Sequence, residues 1–238
     1  MGRLRRGDAP NTQTGALWRF SKSYMGAYKV GLIKKPKVPL AVAVCASSAF
    51  PPILSPVELD LEGYTFDPDP KATLQKEPFA KKAVLSDGGF YDNMGLETAW
   101  KRYRTLLVSD AGARFKPEEK PAHDWARHSI RVLDVIDNQV RSQRKRALID
   151  ALTSKKEHDD AYWGIATDIA AYPAKIPMKC PPARANELAL TPTRLAKLDS
   201  AYQDRLINWG YAIASAALLS YHTGPVERTP SLPCQGGI

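Results

Sequence analysis

The stretch that most constrains the fold runs from Lys82 to Leu96 and reads K-A-V-L-S-D-G-G-F-Y-D-N-M-G-L. The segment from Lys82 to Ser86 is apolar at its centre and has no helical period, which predicts a short buried strand. Asp87 ends that strand, and the glycine pair after it allows a sharp turn and a close approach of other groups to the carboxylate. This pattern predicts a strand with a carboxylate at its carboxyl end, followed by a glycine turn.

A helix is expected directly after this turn. Asp92 and Asn93 offer a cap for an apolar run that begins at Leu96. In open α/β sheets the carboxyl edge of the strands is where ligands bind, so Asp87 is a candidate functional residue. Taken alone, however, an Asp-Gly-Gly segment is more typical of an Asx-type turn that merely closes a strand.

Other apolar runs predict further strands at residues 16–20, 40–46 and 105–110, the last ending in a second aspartate, Asp110. The run at 40–46 is continuous rather than alternating, which favours a strand covered on both faces, as in a parallel sheet. We therefore expect an α/β layered fold with a central, mostly parallel sheet flanked by helices. Residues 11–15 indicate a turn, and residues 56–81 indicate a surface excursion.

Two long amphipathic helices are predicted in the second half of the chain. Asp124 caps the first, which extends to about Leu152, and Thr191-Pro192 begins the second, which extends to about Leu218. Residues 161–169 fit either a strand or a short helix, and the proline-rich segment 173–183 predicts a loop. The tail over 223–238 is expected to be loose.

Charge and cysteine content limit the classes of function. The chain of 238 residues has a net charge of +9, with basic clusters at residues 34–37, 81–82 and 141–146. A solvated face is the commonest explanation of such clusters, contact with an anionic membrane surface is the next, and nucleic acid is the third. The three cysteines fit neither a disulfide framework nor a zinc site, so we expect no metal, and they favour a reducing compartment. Without a signal peptide or a transmembrane run, a cytoplasmic or membrane-peripheral location is expected.

Three segments in this order resemble the patatin-like phospholipase family: N-T-Q-T-G at 11–15, A-S-S-A-F-P-P at 46–52, and L-S-D-G-G-F-Y-D-N-M-G-L at 85–96. The stretches at 137–146 and 204–212 are similar to the C-terminal half of bacterial members. The resemblance implies a hydrolase of lipid esters that uses a Ser-Asp dyad. It identifies Asp87 as the general base, supported by the motif residues Gly88, Gly89, Asp92 and Asn93, and it implies no cofactor.

The family's nucleophile lies in a G-x-S-x-G elbow preceded by a glycine-rich oxyanion loop, and the sequence contains neither. We therefore expect residues 1–222 to form an incomplete domain, the C-terminal part of the family's fold without its N-terminal strands, and this chain alone to be inactive. Ser47, Ser48 and Ser86 are poor substitutes for the nucleophile. The four histidines, His123, His128, His158 and His222, are expected to be structural or exposed, since a dyad has no role for them.

Three functions remain open from the sequence. The first is a truncated lipid acyl hydrolase that keeps the base and lacks the nucleophile. The second is a non-catalytic descendant of the same scaffold that binds lipid or a protein partner. The third is a basic nucleic-acid module, whose binding would weaken steeply with salt.

Overall fold

A computed structural model describes residues 7–100, 102–112, 115–154, 160–192, 196–227 and 231–238. The chain divides into two compact units, the first ending at Gly95 and the second beginning at Leu96. Each unit has a hydrophobic core of its own.

The first unit is built on a six-stranded sheet in the order β4-β3-β2-β1-β6-β5. Its strands are β1 (Gly7–Asn11), β2 (Ala16–Phe20), β3 (Tyr24–Ala27), β4 (Gly31–Lys34), β5 (Val57–Asp60) and β6 (Lys82–Leu85). Every neighbouring pair in this sheet is antiparallel. The predicted strands at 16–20 and 82–86 are confirmed, as is the turn at 11–15.

The expectation of a central, mostly parallel sheet is wrong. Strands β1 to β4 are joined by short connections at residues 12–15, 21–23 and 28–30. Connections of this length can only form hairpins, because a parallel pair needs a crossover of a dozen residues or more. Gly15 and Gly31 adopt positive φ at these bends, at 68° and 115°.

The predicted strand at 40–46 is also wrong, because these residues form helix α1 (Leu40–Ser47). Pro39 precedes the helix and fixes a backbone angle suited to its entry. Ala43 and Ala46 are buried against the sheet, whereas Leu40 and Val44 lie on the outer face, 61% and 54% exposed. A continuous apolar run of this length does not distinguish a strand from a helix, because it shows neither the period of two residues typical of a strand nor the period of 3.6 typical of a helix.

The core of the first unit lies between the sheet, α1 and the segment that follows β5. Its largest fully buried side chains are those of Trp18, Met25, Val30, Ile33, Leu61 and Leu85. Beyond β6, residues Gly89–Asp92 form one turn of helix, α2. Asp92 and Asn93 therefore close α2, and the next helix, α3 (Leu96–Ala99), begins only after Gly95.

The second unit contains a two-stranded parallel sheet made of β7 (Leu107–Asp110) and β8 (Ala161–Gly164). Its longer helices are α4 (Trp125–Ser154), α5 (Pro182–Ala189) and α6 (Ser200–Tyr221). Asp124 caps α4 as predicted, since its carboxylate accepts the Arg127 N–H at 3.0 Å. The strand near 105–110 and the two long helices are confirmed.

The predicted start of the last helix at Thr191-Pro192 is wrong. Helix α6 begins at Ser200, and its cap is Asp199, whose Oδ1 accepts the Tyr202 N–H at 2.8 Å. The Thr191 hydroxyl instead bonds back to the Leu188 carbonyl oxygen at 2.5 Å, at the end of α5. Helix α5 overlaps the segment predicted as a loop, 173–183, at its first two residues, and Pro182 occupies its first turn.

Helix α6 organises the core of the second unit, in which Trp209, Ala212 and Ile213 are almost fully buried. Buried Asn208 also connects α6 to the chain terminus. Its amide donates to the carbonyl oxygens of Cys234 at 3.0 Å and Gly237 at 2.7 Å, so part of the segment predicted to be loose contacts this helix. Across the residues that the structure describes, no helix is both long and apolar enough to cross a membrane.

Candidate functional site

Strand β6 presents the Asp-Gly-Gly segment from an interior position in the sheet. It pairs with β5 along its length and with β1 at Asn11, opposite Leu85. Just past the strand, the Ser86 N–H donates to the Pro10 carbonyl oxygen at 3.1 Å. The backbone is therefore held by strands on both sides up to the residue before Asp87.

The turn itself is fixed by the end of α1 and the loop that follows. The Asp87 N–H donates to the Ala49 carbonyl oxygen at 2.9 Å, and the Gly88 N–H donates to the Ser47 carbonyl oxygen at 3.1 Å. These two bonds satisfy carbonyl groups at and beyond the end of the helix, which have no partner within it. They also set the position of Asp87 relative to α1.

Gly88 is required by the space around it. A Cβ at this position would lie 2.5 Å from the backbone oxygen of Asp8 and 3.2 Å from Ser47 Oγ. The first distance is shorter than real Cβ contacts, and a backbone oxygen cannot move aside as a side chain can. The glycine therefore allows β1, α1 and the turn to meet.

The Asp87 carboxylate is half-buried and has one open oxygen. Its Oδ1 accepts the Gly89 N–H at 2.7 Å. For Oδ2 the described part of the chain provides no hydrogen-bond partner and no cation. Burial raises the pKa of the Asp87 carboxyl above its usual range, and the hydrogen bond from Gly89 offsets part of that rise because it stabilises the anion.

The other two motif residues close the turn from the far side. The Asp92 N–H donates to the Gly88 carbonyl oxygen at 2.9 Å, and the Gly95 N–H donates to the Asp92 carbonyl oxygen at 3.0 Å. Asn93 lies next to Gly89, with Oδ1 3.5 Å from where a Cβ on that glycine would be. These hydrogen bonds close a helical turn directly after the Asp-Gly-Gly segment.

No serine hydroxyl in the described part of the chain hydrogen-bonds to Asp87. The Ser86 hydroxyl points away, since it bonds to the Ala49 carbonyl oxygen at 3.4 Å and accepts the Ser55 hydroxyl at 3.0 Å. Ser47 is half-buried beside Gly88, and Ser48 is exposed. The site therefore consists of the Asp87 carboxylate and the backbone that fixes it.

The histidines belong to the part of the chain that follows the Asp87 turn. All four histidines follow Leu96 in the chain, and His158 lies outside the described residues. His128 is exposed, with Nδ1 3.1 Å from the Ala122 carbonyl oxygen at the start of α4. Within the described ranges, no group of three side chains is arranged to hold a metal ion.

Apolar side chains lie next to the Asp87 turn. The rings of Phe50 and Phe90 are in contact, with centroids 5.2 Å apart. Phe50 directly follows Ala49, whose carbonyl oxygen holds Asp87, and Phe90 follows the glycine pair. Ile53 and Leu54, a few residues on, are 89% and 48% exposed. Through its contact with Phe90, the half-exposed Phe50 side chain therefore lies as an apolar group beside the Asp87 turn.

A family model matches the first part of the chain. The sequence model of the patatin-like phospholipase family matches residues 6–100, a range that contains Asp87, both glycines, Asp92 and Asn93. No curated protein and no solved structure matches the chain. The family resemblance is confirmed over residues 6–100. That the chain is the C-terminal part of a bacterial-type member stays a prediction.

Sequence reasoning located Asp87 but missed the groups that hold it. The carbonyl oxygens of Ser47 and Ala49 lie at the end of a segment that was predicted as a strand, and Asp8 precedes the first predicted element. Backbone acceptors carry no signal in the side-chain pattern. The small side chains of A-S-S-A, residues 46–49, allow close packing. They were the one local indication that another part of the backbone lies close to this segment.

The packing around Gly88 leads to a stability prediction. Gly88→Ala should lower the free energy of unfolding by about 1–3 kcal/mol, the usual cost of forcing extra volume into a packed site. Urea denaturation followed by circular dichroism measures this change. Gly210→Ala is the matched control, because nothing lies within 4 Å of the added methyl group. Since Gly210 is inside α6, that substitution should raise stability by about 0.5–1 kcal/mol. A Gly88→Ala protein as stable as the parent would contradict the described packing.

Proposed function

We propose that this chain carries the general base of a lipid acyl hydrolase that cleaves carboxylic esters by a Ser-Asp dyad, with Asp87 as the base. The observation that carries the proposal is the half-buried Asp87 carboxylate, fixed through Oδ1 and open at Oδ2. The family match over residues 6–100 and the apolar surface beside the turn support it.

The chemistry assigned to Asp87 is proton transfer. Oδ2 accepts the proton of a serine hydroxyl as the serine oxygen attacks the ester carbon, and the proton then passes to the leaving alcohol. In the second half of the reaction Oδ2 takes a proton from the water that attacks the acyl-serine, and it returns this proton to the serine oxygen as the acyl–serine bond breaks. Because the pKa of the carboxyl is raised, it is a stronger base than an ordinary aspartate, and Gly89 keeps its orientation throughout.

The serine of the proposed dyad is not among the 238 residues, because no G-x-S-x-G segment occurs in them. We assign it, together with the oxyanion donors, to a segment outside this sequence. Without a nucleophile no acyl-enzyme forms, and without oxyanion donors the tetrahedral intermediate is unsupported. The chain as given should therefore hydrolyse p-nitrophenyl esters no faster than the buffer.

The test joins this chain to a segment that carries G-x-S-x-G and the glycine-rich loop. In the joined protein, Asp87→Asn keeps the size and the Gly89 hydrogen bond but removes the proton acceptor, so kcat should fall by roughly 10² to 10⁴. Asp60→Asn is the matched control, since Asp60 is an exposed carboxylate at the opposite end of the β5–β6 pair, opposite Lys82. It should leave kcat within about twofold of the parent.

Two results would overturn this proposal. The first is equal activity of the Asp87→Asn and parent proteins when both are folded. The second is labelling of Ser47, Ser48 or Ser86 by a fluorophosphonate in the chain as given, which would locate a nucleophile within these residues. A joined protein that binds lipid but never hydrolyses it would favour the non-catalytic descendant instead.

We extend the proposal to contact with an anionic membrane surface. Leu40 and Val44 lie one turn apart on the outer face of α1, and Ile53 is almost fully exposed. The basic cluster Lys34-Lys35-Lys37 directly precedes this helix. Apolar side chains next to lysines suit an anionic lipid surface, to which each basic residue contributes about 1 kcal/mol.

Sedimentation with phosphatidylserine-containing vesicles tests this contact. Ile53→Ser should weaken binding by about tenfold, because an isoleucine side chain contributes about 1.5–3 kcal/mol when it is buried. Leu190→Ser, at a leucine that is 60% exposed after α5, is the control and should bind like the parent. Equal binding of the parent to anionic and to neutral vesicles at low salt would contradict the proposed contact with an anionic membrane surface.

A further inference from the structure

A polar cavity of about 340 Å³ lies in the second unit. It opens where the parallel strands β7 and β8 end, with Asp110 and Gly164 in register. The crevice beyond the carboxyl ends of parallel strands is the usual ligand position in α/β sheets. Its polar lining comprises Asp110, Arg141, Ser142, Lys145, Tyr162 and Thr167.

The cationic wall comes from α4. Arg141 and Lys145 are four residues apart, so both lie on the face of the helix that lines the cavity. Two like charges at this spacing repel each other and slightly destabilise a helix. Lys145 is half-buried, and its Nζ lies 4.9 Å from the centroid of the Tyr162 ring. Within the described ranges it has no hydrogen bond and no carboxylate partner.

The single carboxylate among the lining residues, that of Asp110, accepts hydrogen bonds from groups of the cavity wall. Asp110 Oδ1 accepts the Gly112 N–H at 2.9 Å, and Oδ2 accepts the Tyr162 hydroxyl at 2.8 Å. Burial, together with the negative charge of Asp110, raises the pKa of the Tyr162 hydroxyl, so the hydroxyl stays protonated and keeps donating. Both oxygens of Asp110 are thereby engaged by donors of the β7 and β8 ends.

Gly112 brings the strand end and the helix together. A Cβ on Gly112 would overlap the guanidinium of Arg141 and lie 2.9 Å from Asp110 Oδ1. The charge of Asp110 is thus close to that of Arg141, and these two compensate each other. The charge of Lys145 remains as the net charge of the cavity, with the Ser142 hydroxyl beside it on the helix.

We propose that this cavity binds the phosphate group of a small ligand. Lys145 supplies the uncompensated charge, Arg141 and the Ser142 hydroxyl supply further donors, and phosphate offers several acceptor oxygens to such a set. The volume lies at the low end of the range of small-molecule sites, which fits a single phosphate with a short substituent. The phosphate is either free, as in a soluble monoester, or part of a lipid headgroup.

Isothermal titration calorimetry of the full chain with inorganic phosphate tests the proposal. The parent should show one saturable site. Lys145→Met keeps the aliphatic stem over Tyr162 but removes the charge, and it should weaken phosphate binding by about tenfold or more. Arg146→Met is the matched control, because it removes the same charge from the exposed side of the same helix. It should change the affinity less than about twofold, as expected for a surface charge.

A conservative variant and two competing ligands complete the phosphate-binding test. Lys145→Arg preserves the charge and should retain most of the binding, which separates a lost contact from a lost fold. Competition with glycerol 3-phosphate and with phosphatidic acid vesicles distinguishes a soluble ligand from a headgroup. Absence of saturable phosphate binding, equal binding of acetate, or equal losses in Lys145→Met and Arg146→Met would each overturn the proposal.

Discussion

The backbone hydrogen bonds from Asp87 and Gly88 to the carbonyl oxygens of Ala49 and Ser47 tie the end of a strand to the end of a helix. Strand β6 could end in many conformations; these two bonds select one of them and make the turn a fixed part of the first unit. They form only because residue 88 has no side chain, since the backbone oxygen of Asp8 occupies the space of a Cβ. The orientation of the Asp87 carboxylate follows from this contact.

The energetic character of the site differs from that of an ordinary strand end. A half-buried carboxylate with one hydrogen bond loses hydration that its single donor does not fully replace, and the raised pKa expresses that deficit. By contrast, the exposed Asp124 accepts hydrogen bonds from the backbone N–H and the guanidinium of Arg127, and these donors lower the pKa of its carboxyl. Asp87 instead keeps Oδ2 open, an arrangement that suits a group whose role is to accept a proton.

Local features of the sequence were sufficient to place the candidate base, whereas the sheet around it was not predictable from them. The strand that ends at Asp87 and the glycine turn are encoded within a few neighbouring residues. The direction of the sheet depends on the short connections between β1 and β4, which indicate hairpins, and part of that segment, residues 24–32, had no clear period. Helix α1 was misassigned because an apolar run with alanines fits both a strand and a helix. The contacts of Ser47, Ala49 and Asp8 are made by backbone atoms, for which side-chain patterns give no signal.

The most direct measurement of the central claim is a carbon-13 NMR titration of the Asp87 carboxyl in this chain. The titration midpoint should lie clearly above the value of about 3.9 for an unperturbed aspartate, because burial outweighs the single hydrogen bond from Gly89. A midpoint for Asp87 at or below about 3.9 would show that the carboxylate is stabilised as an ordinary turn-closing anion, and it would contradict its assignment as a base.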